Sequence, residues 1–106
     1  MSVIMTMRLN ADPKRLEGYA EANPDRIRGI ADRGKEHGVI AHRFYGTDDG
    51  QVMVVDEWPD AESFQAFFEA ERDQIQAVMD AAGVTSEPEV TFWRKLETDD
   101  EIGWGA

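Results

Sequence analysis

The strands this chain offers are apolar on both faces, and that limits what it can fold into. "VIMTM" at residues 3–7 and "VMVV" at 52–55 place apolar side chains at neighbouring positions. A strand alternates its side chains between two faces, so a sheet with one wet face reads apolar-polar-apolar. These runs require cover on both sides. Helices from the same chain can supply one layer. In a chain of 106 residues the second layer has to come from elsewhere, and a partner sheet packed face to face is the expected cover. The expected partner is a second copy in a homodimer.

The order of elements supports this. Residues 2–9 read as a strand, followed by a helix with Asp12 as N-cap and Pro13 at its first position. Asn23-Pro24 breaks the helical spacing, because proline disfavours the α conformation in the residue before it. Gly38 ends the second piece. Residues 39–46 and 51–58 form a hairpin around Asp49-Gly50, a favoured type I′ pair. A helix follows from an Asp60 cap to Gly83, with a break expected near Arg72-Asp73 because Glu71 falls in the phase of the apolar stripe, and "VTFWRKL" at 90–96 is the last strand. The order β-α-β-β-α-β is a ferredoxin-like, α+β arrangement with an antiparallel sheet and both helical stretches on one face. Residues 1–96 are read as one domain and residues 97–106 as an acidic tail.

Composition removes several function classes. The net charge is −11, from 22 acidic and 11 basic residues, a field that repels phosphate backbones, so nucleic acid is not an expected partner. The chain has no cysteine and only two histidines, His37 and His42, which gives no metal-ligand set. Its glycines form no phosphate loop. The opening "MSVIMTMRLN" has neither the basic start of a signal peptide nor the length of a membrane span. The expected location is the cytoplasm, with no membrane association. No cofactor is expected.

The chemistry-bearing residues cluster in "HRFYGTDDGQVMVVDEW". With a two-residue turn at Asp49-Gly50, His42 faces Glu57 and Arg43 faces Asp56. With a four-residue loop, Thr47 to Gly50, His42 faces Val55 with Glu57 diagonal to it. Either even loop puts His42, Glu57, Phe44, Met53 and Val55 on one face, and Arg43, Tyr45, Val52, Val54, Asp56 and Trp58 on the other. An odd loop with a bulge separates His42 from Glu57. His42 and Glu57 are candidate catalytic residues, a general base oriented by a carboxylate. The same pair also serves as a cross-strand contact that fixes register. Trp58, Phe44, Phe64 and Phe68 are candidate ligand-lining residues, though aromatic residues at this spacing also build cores. Asn10 and Tyr45 are candidate polar contacts to a ligand, and His37 in "GKEHG" suits the end of a helix.

The element order, the two-sided strands and the stretch "VVDEWPDAESFQAFFEA" resemble the dimeric α/β-barrel superfamily, and within it the antibiotic biosynthesis monooxygenase family, over residues 2–96. Haem-degrading members use an Asn, a Trp and a His on the helix beyond the third strand. Asn10 and Trp58 match the first two, but residues 59–83 contain no histidine, so haem degradation is disfavoured. The resemblance implies instead a cofactor-independent monooxygenase-like reaction on a small aromatic or polycyclic molecule, held between sheet and helices. The alternative is a non-catalytic protein that binds a small molecule in the same cavity.

Overall fold

The computed structural model describes residues 1–104. Its elements run β1 (Val3–Asn10), α1 (Pro13–Ala22), α2 (Pro24–Glu36), β2 (Ala41–Gly46), β3 (Gln51–Trp58), α3 (Ala61–Ala70), α4 (Arg72–Ala82) and β4 (Glu89–Trp93). The four strands form one antiparallel sheet in the order β2-β3-β1-β4. This is the expected α+β, ferredoxin-like arrangement, with β2 and β4 at the edges.

Local chemistry sets the element ends. The Asp12 carboxylate accepts from the Lys14 N–H at 2.9 Å, and Pro13 opens α1 without needing its missing N–H. Asn23 closes α1, donating from its backbone and its side-chain amide to the Tyr19 carbonyl, and Pro24 then starts α2. Asp60 caps α3 through the Ser63 N–H at 2.7 Å, and Glu71 forms the joint between α3 and α4. Gly83 (φ 73°) and Gly38 (φ 100°) take the left-handed conformation that releases the chain from a helix end. His37 Nδ1 lies 3.1 Å from the Arg33 carbonyl, consistent with its expected place at a helix end.

The core lies between one sheet face and the helices. Met5, Met7, Leu9, Val52, Val54 and Trp58 point inward and meet Leu16, Phe64, Phe67, Val78, Met79 and Ala82. The outer face carries Ile4, Met53, Val55, Tyr45 and Trp93. Within one protomer Trp93 is 54% exposed and Tyr45 44%, so this apolar face is left open. The acidic tail turns back on itself through a Lys95–Glu101 ion pair of 3.1 Å, which raises the lysine pKa and lowers that of the glutamate. Residues 105 and 106 of the expected tail lie outside the described residues.

The hairpin register differs from the expected one. The loop is odd: Asp48, Asp49 and Gly50 separate Thr47 from Gln51, and the Thr47 N–H donates to the Gln51 carbonyl at 2.9 Å. Gly50 takes φ 91°, as in a three-residue turn that ends in a left-handed residue. Gly46 therefore pairs with Val52, His42 with Asp56, and Ala41 with Glu57. One step of register carries a whole strand's side chains to the opposite face of its partner. His42 and Phe44 thus share the inner face with Val52, Val54, Asp56 and Trp58, while Glu57 goes outside. The expected His42–Glu57 and Arg43–Asp56 contacts do not form.

Candidate active site

The space between sheet and helices holds a cavity of about 110 Å³. Its walls are apolar except at one place: among all the lining residues only His42 and Asp56 carry ionisable groups. Asp56 is 4% exposed and Trp58 is fully buried. A buried carboxylate requires partners, and Asp56 has two. Its Oδ2 accepts from the Trp58 indole N–H at 3.1 Å, and its Oδ1 lies 2.7 Å from His42 Nδ1. An ionised carboxylate only accepts, so Nδ1 carries a proton and donates it to Asp56. In the neutral ring the lone pair then sits on Nε2. Phe44 stacks edge-on against the imidazole at a centroid distance of 5.0 Å, and the His42 side chain remains about one-third exposed at the edge strand.

Strand periodicity builds this arrangement. Val52, Val54, Asp56 and Trp58 occupy alternate positions of β3 and all point inward. The odd loop then brings His42 of β2 directly opposite Asp56. Four expected ligand-lining residues, Trp58, Phe44, Phe64 and Phe68, do line the cavity. Three other candidates are elsewhere. Glu57 is on the outer face and accepts from Ser2 Oγ at 2.5 Å. The Tyr45 hydroxyl, also outside, accepts from Arg43 Nη1 at 3.2 Å, and this contact raises the pKa of the exposed guanidinium. Asn10 pairs with Gln51 at the hairpin-tip end of β1, where its backbone N–H donates to Ser86 Oγ, and it does not line the cavity. Asp56 was missed as a site residue. The available signal was an acidic residue in phase with Val52, Val54 and Trp58, a position that demands a buried partner.

Comparison with solved structures shows the same architecture in other proteins. A monooxygenase from the gene ActVA-Orf6 of Streptomyces coelicolor, in complex with the ligand Nanaomycin D, superposes with a TM-score of 0.68 at 15% identity, covering 95% of this chain and 93% of that one. The chain has the fold of the antibiotic biosynthesis monooxygenases. A dimeric ferredoxin-like protein from an uncultured marine organism gives 0.65 at 11% identity, covering 95% and 93%. A candidate antibiotic biosynthesis monooxygenase from Deinococcus radiodurans gives 0.63 at 15% identity, covering 95% and 99%. No family model matches the sequence, and no curated protein matches it. Among the described residues no helix is long and apolar enough to cross a membrane, and no group of three or more His, Cys, Asp or Glu is placed to hold a metal ion.

Proposed function

We propose that this protein is a cofactor-independent monooxygenase-like enzyme that oxidises a small aromatic molecule in the cavity between sheet and helices. The observation that carries this reading is the single polar point in an apolar cavity: a histidine whose second nitrogen is held by a buried carboxylate. That is the arrangement of an oriented general base. The fold shared with the Streptomyces coelicolor monooxygenase supports it.

The substrate class follows from the walls. An apolar enclosure lined by Phe44, Phe64 and Phe68 favours a flat ring system, and one base asks for one acidic C–H or O–H. For an anthrone, His42 Nε2 removes a ring C–H proton. The resulting carbanion gives one electron to dioxygen, and the radical pair combines to a peroxide. Loss of the second C–H proton with cleavage of the O–O bond releases water and leaves the quinone carbonyl. One dioxygen is consumed, one oxygen atom enters the product, and no external reductant is needed. The Trp58 N–H is already committed to Asp56 and Tyr45 faces outward, so the new imidazolium is the cation beside the developing anion.

The second part of the proposal is the homodimer. The open outer face, with Ile4, Met53, Val55 and Trp93, is covered by the same face of a second copy. Light scattering at micromolar concentration then gives about twice 12.0 kDa. A clean monomer overturns the dimer. The enzyme reading is tested by oxygen uptake with a panel of anthrones and hydroquinones. Wild type exceeds the uncatalysed rate, and His42→Ala falls to it. Equal uptake by the two proteins, or none above background across the panel, overturns the reading in favour of a binding protein.

A further inference from the structure

We infer that Trp58 is a positioning residue, whose indole N–H fixes the orientation of the side chain at residue 56 and, through it, the orientation of the His42 base. This rests on the proposed function for its catalytic consequence, but its physical content stands apart from any substrate. Trp58 is fully buried, and its N–H is spent on a carboxylate rather than directed at a ligand.

The chain of contacts is Trp58 Nε1 to Asp56 Oδ2 at 3.1 Å, then Asp56 Oδ1 to His42 Nδ1 at 2.7 Å. Its two ends differ in kind. Indole can only donate, so it always takes an acceptor atom from residue 56. Imidazole can present either a donor or an acceptor at Nδ1. With both carboxylate oxygens able to accept, the carboxylate turns Nδ1 into the donor and leaves Nε2 free. Without the indole, the carboxylate loses the contact that fixes its plane. Either oxygen still only accepts, so Nδ1 keeps its proton, but the carboxylate can turn and the imidazole it holds is no longer fixed in place.

The ring packing around Trp58 matches this role. Phe64 and Phe67 lie against the indole at centroid distances of 5.8 and 5.4 Å, so its plane is clamped by carbon on the helix side. On the sheet side Asp56 pairs with Met5 of β1, again apolar. Apart from His42 itself, no other nitrogen or oxygen acceptor lies among the cavity-lining side chains.

Residue 56 offers a test that keeps Trp58 in place. In Asp56→Asn the indole still requires an acceptor, so the amide oxygen stays on the Trp58 side. The amide NH2 group must then face His42 Nδ1, which becomes the acceptor, and the ring proton moves to Nε2. The imidazole ¹⁵N shifts of His42, read by long-range ¹H–¹⁵N correlation above its titration, therefore show the Nδ1–H form in wild type and the Nε2–H form in Asp56→Asn. Adding Trp58→Phe releases the amide to turn over, and the two tautomers mix. Trp58→Phe alone keeps the Nδ1–H form, because a carboxylate can only accept, but it frees the carboxylate to turn, and with an active substrate its kcat falls about 10- to 100-fold while KM stays within about twofold.

The inference is overturned if Asp56→Asn keeps the Nδ1–H form, because the indole would then not be directing residue 56. It is also overturned if the double variant Asp56→Asn with Trp58→Phe folds and His42 remains a single Nε2–H tautomer. If the double variant does not fold, the Asp56→Asn spectrum decides alone. If the tautomers behave as stated but no substrate is consumed, the positioning role stands and the enzyme reading fails.

Discussion

Arg33 and Glu71 join the two halves of the helical layer, and breaking their contact from one side costs more than from the other. Arg33 belongs to α2, Glu71 to the joint between α3 and α4, and Arg33 Nε donates to Glu71 Oε1 at 2.6 Å. The arginine side chain is 40% exposed and the glutamate only 10%. Arg33→Met leaves a carboxylate in a buried position with no cation. Stranding one member of a fully buried pair costs about 3–5 kcal/mol, and water at the arginine side reduces this to about 2 kcal/mol. Glu71→Gln keeps an oxygen for the guanidinium, which water already reaches, so its cost is about 1 kcal/mol or less. Arg33→Met with Glu71→Leu removes both charges and costs less than Arg33→Met alone. In thermal unfolding at fixed protein concentration the single arginine variant melts about 10 °C lower. Equal losses from the two single variants, or a double variant that loses their sum, refute the reasoning.

Two further outcomes are expected. Gly46→Ala places a Cβ 2.8 Å from Pro13 Cβ, against a rigid ring at the start of α1, so it lowers urea stability by about 1–3 kcal/mol. The pKa of Asp60 is lowered, first by the Ser63 hydroxyl and then by the Ser63 N–H. A lowered carboxylate stabilises the fold above its unfolded value and ceases to do so as pH falls through its folded value. The stability difference between wild type and Asp60→Ala therefore narrows in acid, with urea titrations at neutral pH and near pH 3 as the measurement.

The element order was legible because proline, glycine and cap residues act locally. Pro13, the Asn23-Pro24 break, Gly38 and Gly83 fall where sequence reasoning puts them, and the joint expected near Arg72-Asp73 lies at Glu71, just before it. Within each hairpin strand the alternation was legible too: His42 goes with Phe44, and Asp56 with Val54 and Trp58. What period-two alternation does not contain is the relation between the strands, which depends only on whether the loop length is odd or even. Asp49-Gly50 suits a two-residue turn, but it also suits a three-residue turn with Gly50 in the left-handed position, and the fold uses the latter. That single parity exchanged Glu57 for Asp56 beside His42. Asn10 was placed by analogy rather than by register, and β1 carries it to the hairpin-tip end of the sheet.

The two joints in the helical layer have a consequence for how such a protein changes over time. One continuous helix over residues 13–36 would run about 36 Å, whereas the eight residues of β1 span about 26 Å. The breaks at Asn23-Pro24 and Glu71 keep the helices within the footprint of the sheet. They also divide the ceiling of the cavity into short pieces that carry Ile27, Ile30, Phe64, Phe68 and Ile75. His42, Asp56 and Trp58 sit on the floor, held by the hydrogen-bonded ladder of β2 and β3. Substitutions overhead reshape the chamber without touching the contacts among His42, Asp56 and Trp58, so descendants of one such chain can change the shape of the chamber by repainting the ceiling alone.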